Sequence, residues 1–276
     1  MSSVAQVIEA MPTTDGAGVE LNRIIGQPAL SMLDPFLLLD VFRSDNPDDY
    51  IAGFPPLPHR GFETVTYLLE GRMRHKDNAG HEGVIESGGI QWMSAGKGIV
   101  HSEMPEQENG LLEGFQLWVN LPAEHKMSAP TYQEFSREDI PVEKREGNIE
   151  VKVVTGTTSH GTRGPVSQPL TDPLYLDVKL PAGERFIEKL KPGYNAFVYV
   201  IQGPVIIADG QAINRDQLAV LSFQDQVTIN AVEQDARFLL IAGKPLNEPV
   251  ARGGPFVMNT KQEIDQAFSD YRSGKF

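Results

Sequence analysis

Part of this chain is written twice. Glu63-Thr-Val-Thr-Tyr-Leu-Leu-Glu-Gly71 corresponds to Asn195-Ala-Phe-Val-Tyr-Val-Ile-Gln-Gly203, at an offset of 132 residues. Phe115-Gln-Leu-Trp-Val-Asn-Leu-Pro122 corresponds to Phe238-Leu-Leu-Ile-Ala-Gly-Lys-Pro245, at an offset of 123. The paired segments are rich in β-branched and aromatic residues and close on Gly or Pro, as strands ending in turns do. Two similar β units imply a duplicated barrel or sandwich. A chain of 276 residues has room for two domains, each burying its own core. Between the copies, residues 129–148 carry Pro130, Pro141 and a charged run. They predict a boundary that leaves one domain over 1–135 and a second over 136–276.

The rest of the chain supports an all-β reading. Strands are expected at 64–69, 72–76, 83–85, 89–93, 114–120, 149–154, 174–180, 196–201, 205–208, 219–222, 227–230 and 237–242. Asp77 to Gly80 forms the loop of a hairpin. The 26 Gly and 20 Pro residues favour turns over long helices. The clearest helical segment is the tail, 261–273, where Ile264, Phe268 and Tyr271 share one face.

Composition removes several function classes. There is no cysteine, so thiolate chemistry, disulfides and Cys-ligated metals are excluded, and any metal must be held by His and carboxylate. A formal net charge of −13 disfavours direct contact with nucleic acid or anionic membranes. No apolar run is long enough for a membrane span. Residues 1–11 show no signal-peptide pattern. A cytoplasmic protein is therefore expected. No Gly-x-Ser-x-Gly elbow, Walker-type phosphate loop or His-Glu-x-x-His motif is present.

The histidines are few, and two stand in informative places. His101 and Glu103 lie two residues apart, so on a strand both side chains point to the same face. Imidazole and carboxylate inside a small barrel are costly unless paired or metal-bound. With His59 from a neighbouring strand they make a two-imidazole, one-carboxylate set, which suits non-haem Fe(II). On spacing alone, a metal-free buried His–Glu pair fits equally well. Glu63 is a candidate for orienting a ring nitrogen of His59. His75 and His81 flank the hairpin turn and read as surface residues, and Trp92 and Trp118 read as core. Phe54 and Met93 are candidates for the barrel mouth.

The chain resembles the pirin family of bicupins. The resemblance is carried by Leu33-Asp-Pro-Phe-Leu-Leu-Leu-Asp40, Pro58-His-Arg-Gly-Phe-Glu-Thr-Val-Thr-Tyr67, Gly98-Ile-Val-His-Ser-Glu-Met-Pro105 and Gln116-Leu-Trp-Val-Asn-Leu-Pro122. It implies two tandem cupin barrels (double-stranded β-helix, jelly-roll), a short C-terminal helix and a metal in the N-terminal barrel. That metal would be Fe(II), or another divalent transition metal. The family's motif, His-Pro-His-Arg-Gly-Phe-Glu with His-Ser-Glu, maps three ligands onto His59, His101 and Glu103. The fourth position is Leu57, which cannot bind metal and by strand alternation should face the same way as His59. Ungapped extension of the repeat puts Lys191 and Lys189 where His59 and Leu57 stand, so the second barrel should hold no metal. The resemblance implies quercetin 2,3-dioxygenase-type activity on a flavonol-like substrate, with Glu103 as proton acceptor. The alternatives are a metal-responsive regulatory protein that binds a protein partner without turnover, or a metal-free scaffold.

Overall fold

The computed structural model describes residues 3–208, 210–222 and 225–276. The chain forms two compact β units, each made of a seven-stranded and a four-stranded sheet. The first unit comprises Pro12–Gly26, Phe36–Arg137 and Leu246–Phe276. The second is built on Gln27–Pro35 and Glu138–Pro245 together with the segment ending at Met11. The ends of the chain are thus exchanged: the strand Val4–Glu9 pairs with Gln217–Leu221 in the second unit, and the C-terminal helix belongs to the first. Among the described residues no helix is long and apolar enough to cross a membrane.

The large sheet of the first unit runs Thr131–Phe135, Ile90–Ser94, Phe62–Glu70, Leu112–Asn120, Phe36–Ser44, Val19–Ile25 and Met11–Asp15. Its small sheet runs Phe54–His59, Ile99–Pro105, Arg72–Asp77 and Glu82–Glu86. The second unit repeats this order. Its large sheet is Val4–Glu9, Gln217–Leu221, Asn195–Gln202, Ala236–Gly243, Leu174–Leu180, Ile149–Thr155 and Val142–Arg145. Its small sheet is Arg185–Lys189, Gln226–Asn230, Val205–Ile207 and Ala212–Ile213. The duplication legible in the sequence is therefore a duplication of topology, and these paired units are the two cupin domains.

Strand pairing corrects the sequence register in two places. Tyr67 lies opposite Phe115, whereas Tyr199 lies opposite Leu239, so the second landmark of the repeat is offset by one residue from the sequence match. Leu57 lies opposite His101, and Glu188 rather than Lys189 lies opposite Val227.

The two interiors differ sharply. Across the first unit's large sheet, Glu134, Gln91, Thr66, Gln116, Asp40 and Arg23 lie directly opposite one another, strand to strand. Residues paired this way share one face of a sheet, so the row is polar from edge to edge. The equivalent row in the second unit is Val7, Ala219, Val198, Leu240, Leu176 and Val153, which forms part of a continuous apolar core. The buried members of this row, Gln91, Thr66 and Asp40, are tolerated only where they find partners. Arg23 and Asp40 do so through two parallel hydrogen bonds of 2.8 and 2.7 Å.

The C-terminal helix, Lys261–Arg272, is opened by a capping box between Thr260 and Glu263. It buries Ile264 and Ala267 against Phe256 and Met258. This tail also braces the end of the Phe54–His59 strand. Arg60 pairs with Asp270 at 2.9 Å, and its backbone carbonyl accepts from Val257. The buried Lys126 ammonium donates to the carbonyls of Gly61 and Val257 and to Asn120. Gly61 adopts φ +87°, and a Cβ there would lie 2.0 Å from the Val257 carbonyl oxygen. Only glycine allows the chain to turn this closely under the tail.

Candidate metal pocket

The first unit opens into a pocket lined by His59, His101, Glu103 and Leu57, with Thr66 and Gln116 from the polar row. Phe42, Phe54, Pro55 and Trp118 supply apolar walls. The open space is about 50 Å3, room for a few water-sized groups.

His59 and His101 come from adjacent strands, with ring centroids 4.9 Å apart. Both are buried, and the Nδ1 of each has no hydrogen-bond partner. Burial drives both imidazoles towards the neutral form: the His59 pKa falls to about 4, and that of His101 falls well below its usual value. A hydrogen bond to the Pro255 backbone opposes the shift at His59. Glu103 is buried and its pKa is raised by desolvation, against the hydrogen bonds from Thr66 and Gln116. Those bonds measure 2.6 Å from Thr66 Oγ1 and 3.2 Å from Gln116 Nε2, and they fix the carboxylate. Two neutral imidazoles with unused nitrogens beside an oriented carboxylate form a donor set that fits a divalent transition metal.

Other predicted positions fall as follows. Leu57 lines the same pocket as His59 and is 42% exposed. Glu63 is buried and accepts a 3.0 Å hydrogen bond from Trp92 Nε1. Trp92 and Met93 are core. Phe54 is on the pocket wall, and so is Trp118, contrary to its reading as core. Trp118 stands edge-on to His59 at 5.5 Å and carries the Arg252 guanidinium 4.9 Å from its ring centroid. His75, read as a surface hairpin residue, is fully buried. The inward alternation of Met73, His75 and Asp77 was the signal available.

Sequence reasoning also missed a cluster. His75, His81 and Glu134 bring one donor atom each within 4.8 Å of one another. Glu134 reaches this group from Thr131–Phe135, a strand absent from the sequence reading. In the second unit the inward positions of the strand matching Ile99–Pro105 are Val227 and Ile229. Glu188, opposite Val227, is taken by Arg145 at 2.6 Å and by the Ser159 backbone N–H.

Two cupin domains, one with a polar His/Glu pocket, define a bicupin with a candidate metal centre. The sequence narrows that class: residues 18–119 match the pirin model and residues 175–276 match the pirin C-terminal cupin domain. The chain belongs to the pirin family. It is 55% identical over 273 residues to a pirin-like protein of Caulobacter vibrioides, covering 99% of this chain and 98% of that one. It is 45% identical to human pirin, covering 95% of this chain and 89% of that one. The crystal structure of a quercetin 2,3-dioxygenase from Acinetobacter baumannii superposes with a TM-score of 0.92 at 34% identity, covering 100% of this chain and 98% of that one.

Proposed function

We propose that the first unit is an oxygenase of the quercetin 2,3-dioxygenase type, with Fe(II) held by His59, His101 and Glu103. The observation that carries this reading is the pair of buried imidazoles with unpartnered Nδ1 atoms lining one pocket with a carboxylate fixed by Thr66 and Gln116. The Acinetobacter relative, named for that activity, supplies the substrate class. When bound, the metal acts as a Lewis acid that lowers the pKa of a flavonol hydroxyl. Glu103, through a carboxylate oxygen not engaged by the metal, would take up the hydroxyl proton. Trp118, Phe42 and Phe54 keep water from the activated ring. The net reaction incorporates both atoms of dioxygen into the flavonol, at the two carbons flanking the hydroxyl-bearing one, breaks both bonds to that hydroxyl-bearing carbon and releases it as carbon monoxide, opening the ring.

The test is oxygen uptake with quercetin after loading with Fe(II). Carbon monoxide formed in step with quercetin loss, and abolished in His101→Ala, supports the enzyme. Tight metal binding without oxygen uptake overturns it. That second outcome fits a metal-responsive binding protein, a reading favoured by one observation: the open space is small and Leu57 occupies part of the pocket wall. On that reading metal occupancy sets affinity for a protein partner.

A further inference from the structure

Beside the pocket, the hairpin Arg72–Asp77/Glu82–Glu86 packs against the edge strand Thr131–Phe135 and gathers groups that the proposed reaction does not use. His75 is fully buried, and its Nδ1 has no hydrogen-bond partner. Its Nε2 lies against Glu134 Oε1 in close contact. His81 Nε2 approaches the same oxygen at 3.4 Å from the solvent side, with its side chain 42% exposed. Tyr132 stacks on both imidazoles, at 4.3 Å from His81 and 5.7 Å from His75, and holds the rings in place. Gln91 Nε2 donates to Glu134 at 2.6 Å and orients the carboxylate.

We propose that His75, His81 and Glu134 form a second binding site for a divalent transition-metal ion of the zinc class. None of the three lines the first pocket. Two imidazoles and a carboxylate are borderline donors, which select Zn(II), Co(II) or Ni(II) over Mg(II) or Ca(II). One donor atom of each lies within 4.8 Å of the others, so small side-chain movements would bring all three onto one ion. Glu134 is ready as an anion: contact with His75, then the Gln91 amide, holds its pKa near 2. Gly83 adds an independent sign. A Cβ at that position would stand 2.7 Å from His75 Nε2 and 3.2 Å from a Glu134 oxygen. The residue facing the donors is thus one without a side chain, and the space before them stays open. Exposed His81 gives an ion its way in. Such a site would clasp the hairpin to the edge strand of the large sheet.

The experiment uses the full chain without an affinity tag. It is stripped with chelator, incubated with Zn(II), desalted and measured for zinc. His81→Asn is compared with its parent in two backgrounds, native and His101→Ala. His81 is exposed, so its replacement leaves the fold intact. The expected result is a loss of about one equivalent of zinc on His81→Asn in both backgrounds. Gly83→Ala, which removes no ligand, should reproduce that loss by filling the space. Zinc content unchanged by His81→Asn in both backgrounds overturns the proposal and leaves a metal-free His–Glu–His cluster. Failure of the first pocket to bind metal reads differently: His101→Ala changes nothing, while the His81-dependent equivalent remains.

Discussion

Thr66 Oγ1 lies 2.6 Å from Glu103 Oε1 and 2.6 Å from Gln116 Oε1. One hydroxyl proton serves one of them at a time, and a charged acceptor makes the stronger bond. Thr66 therefore sets the orientation of Glu103. Its hydrogen bond also lowers the Glu103 pKa against the effect of burial. Thr66→Val keeps the β-branched shape and removes the donor. Metal affinity at the first pocket should fall roughly tenfold, read by calorimetric titration, with the circular dichroism spectrum unchanged. An affinity equal to the parent would show that Glu103 is held by other contacts.

The turn after His59 gives a stability prediction. Gly61 combines φ +87° with a would-be Cβ contact of 2.0 Å to a backbone carbonyl, which cannot give way as a flexible side chain can. Gly61→Ala should cost roughly 3 kcal/mol through backbone strain and overpacking, measured by urea unfolding. Because Arg60 and Val257 meet at this turn, the C-terminal tail should also loosen. Faster hydrogen exchange at the amides of 256–258 would report it, and unchanged exchange there would detach the tail from the turn.

What the sequence disclosed follows from which signals are local. The copies at Glu63 and Asn195 are runs of β-branched and aromatic residues closed by a turn at glycine, and the tail helix announces itself by its apolar face. The edge strands do not. Val4–Glu9 and Thr131–Phe135 have largely exposed, mixed patterns, and Val4–Glu9 finds its sheet neighbour only through the exchange of chain ends. His101 and Glu103 were legible because two residues on one strand fix a common face. Glu134 was not, because it reaches His75 only through the pairing of Thr131–Phe135 with Ile90–Ser94. One longer-range signal went unread: Leu39-Asp40-Val41 returns as Leu176-Asp177-Val178. The strands carrying both segments take equivalent places in the large sheets.

Burial of His59 makes the metal-free protein sensitive to acid. Its folded pKa, about 4, lies below the 6.5 of an unburied histidine. The unfolded chain therefore binds more protons between these two values, and stability is lost as pH falls through that window. For this group alone the loss between pH 7 and pH 5 is about 2 kcal/mol. His59→Gln cannot take up the proton and should shrink the difference between unfolding free energies at pH 7 and pH 5 by that order. A pH dependence identical to the parent would place the acid sensitivity elsewhere, with His101 the next group to replace.

Leu57 is the position at which metal loading of the first pocket can be tested. It stands directly opposite His101 in the sheet and lines the same pocket as His59, His101 and Glu103. An isobutyl group offers no lone pair, so of the four ligand positions in the family motif only those of His59, His101 and Glu103 carry donors, and any remaining coordination positions would fall to water, substrate or another polar group of the pocket wall. Leu57→His restores an imidazole at the position where the family motif carries one. Its side chain is 42% exposed, so the change costs little packing. Metal affinity should rise by at least about tenfold, the scale on which a metal site responds to its protein partners, and elemental analysis of protein purified without added iron should show higher occupancy. Iron near one equivalent in both proteins would mean that His59, His101 and Glu103 suffice, and that Leu57 shapes the room left for substrate. Iron only in the variant would mean that the leucine closes the pocket to metal, and the chain should then be studied as a binding protein.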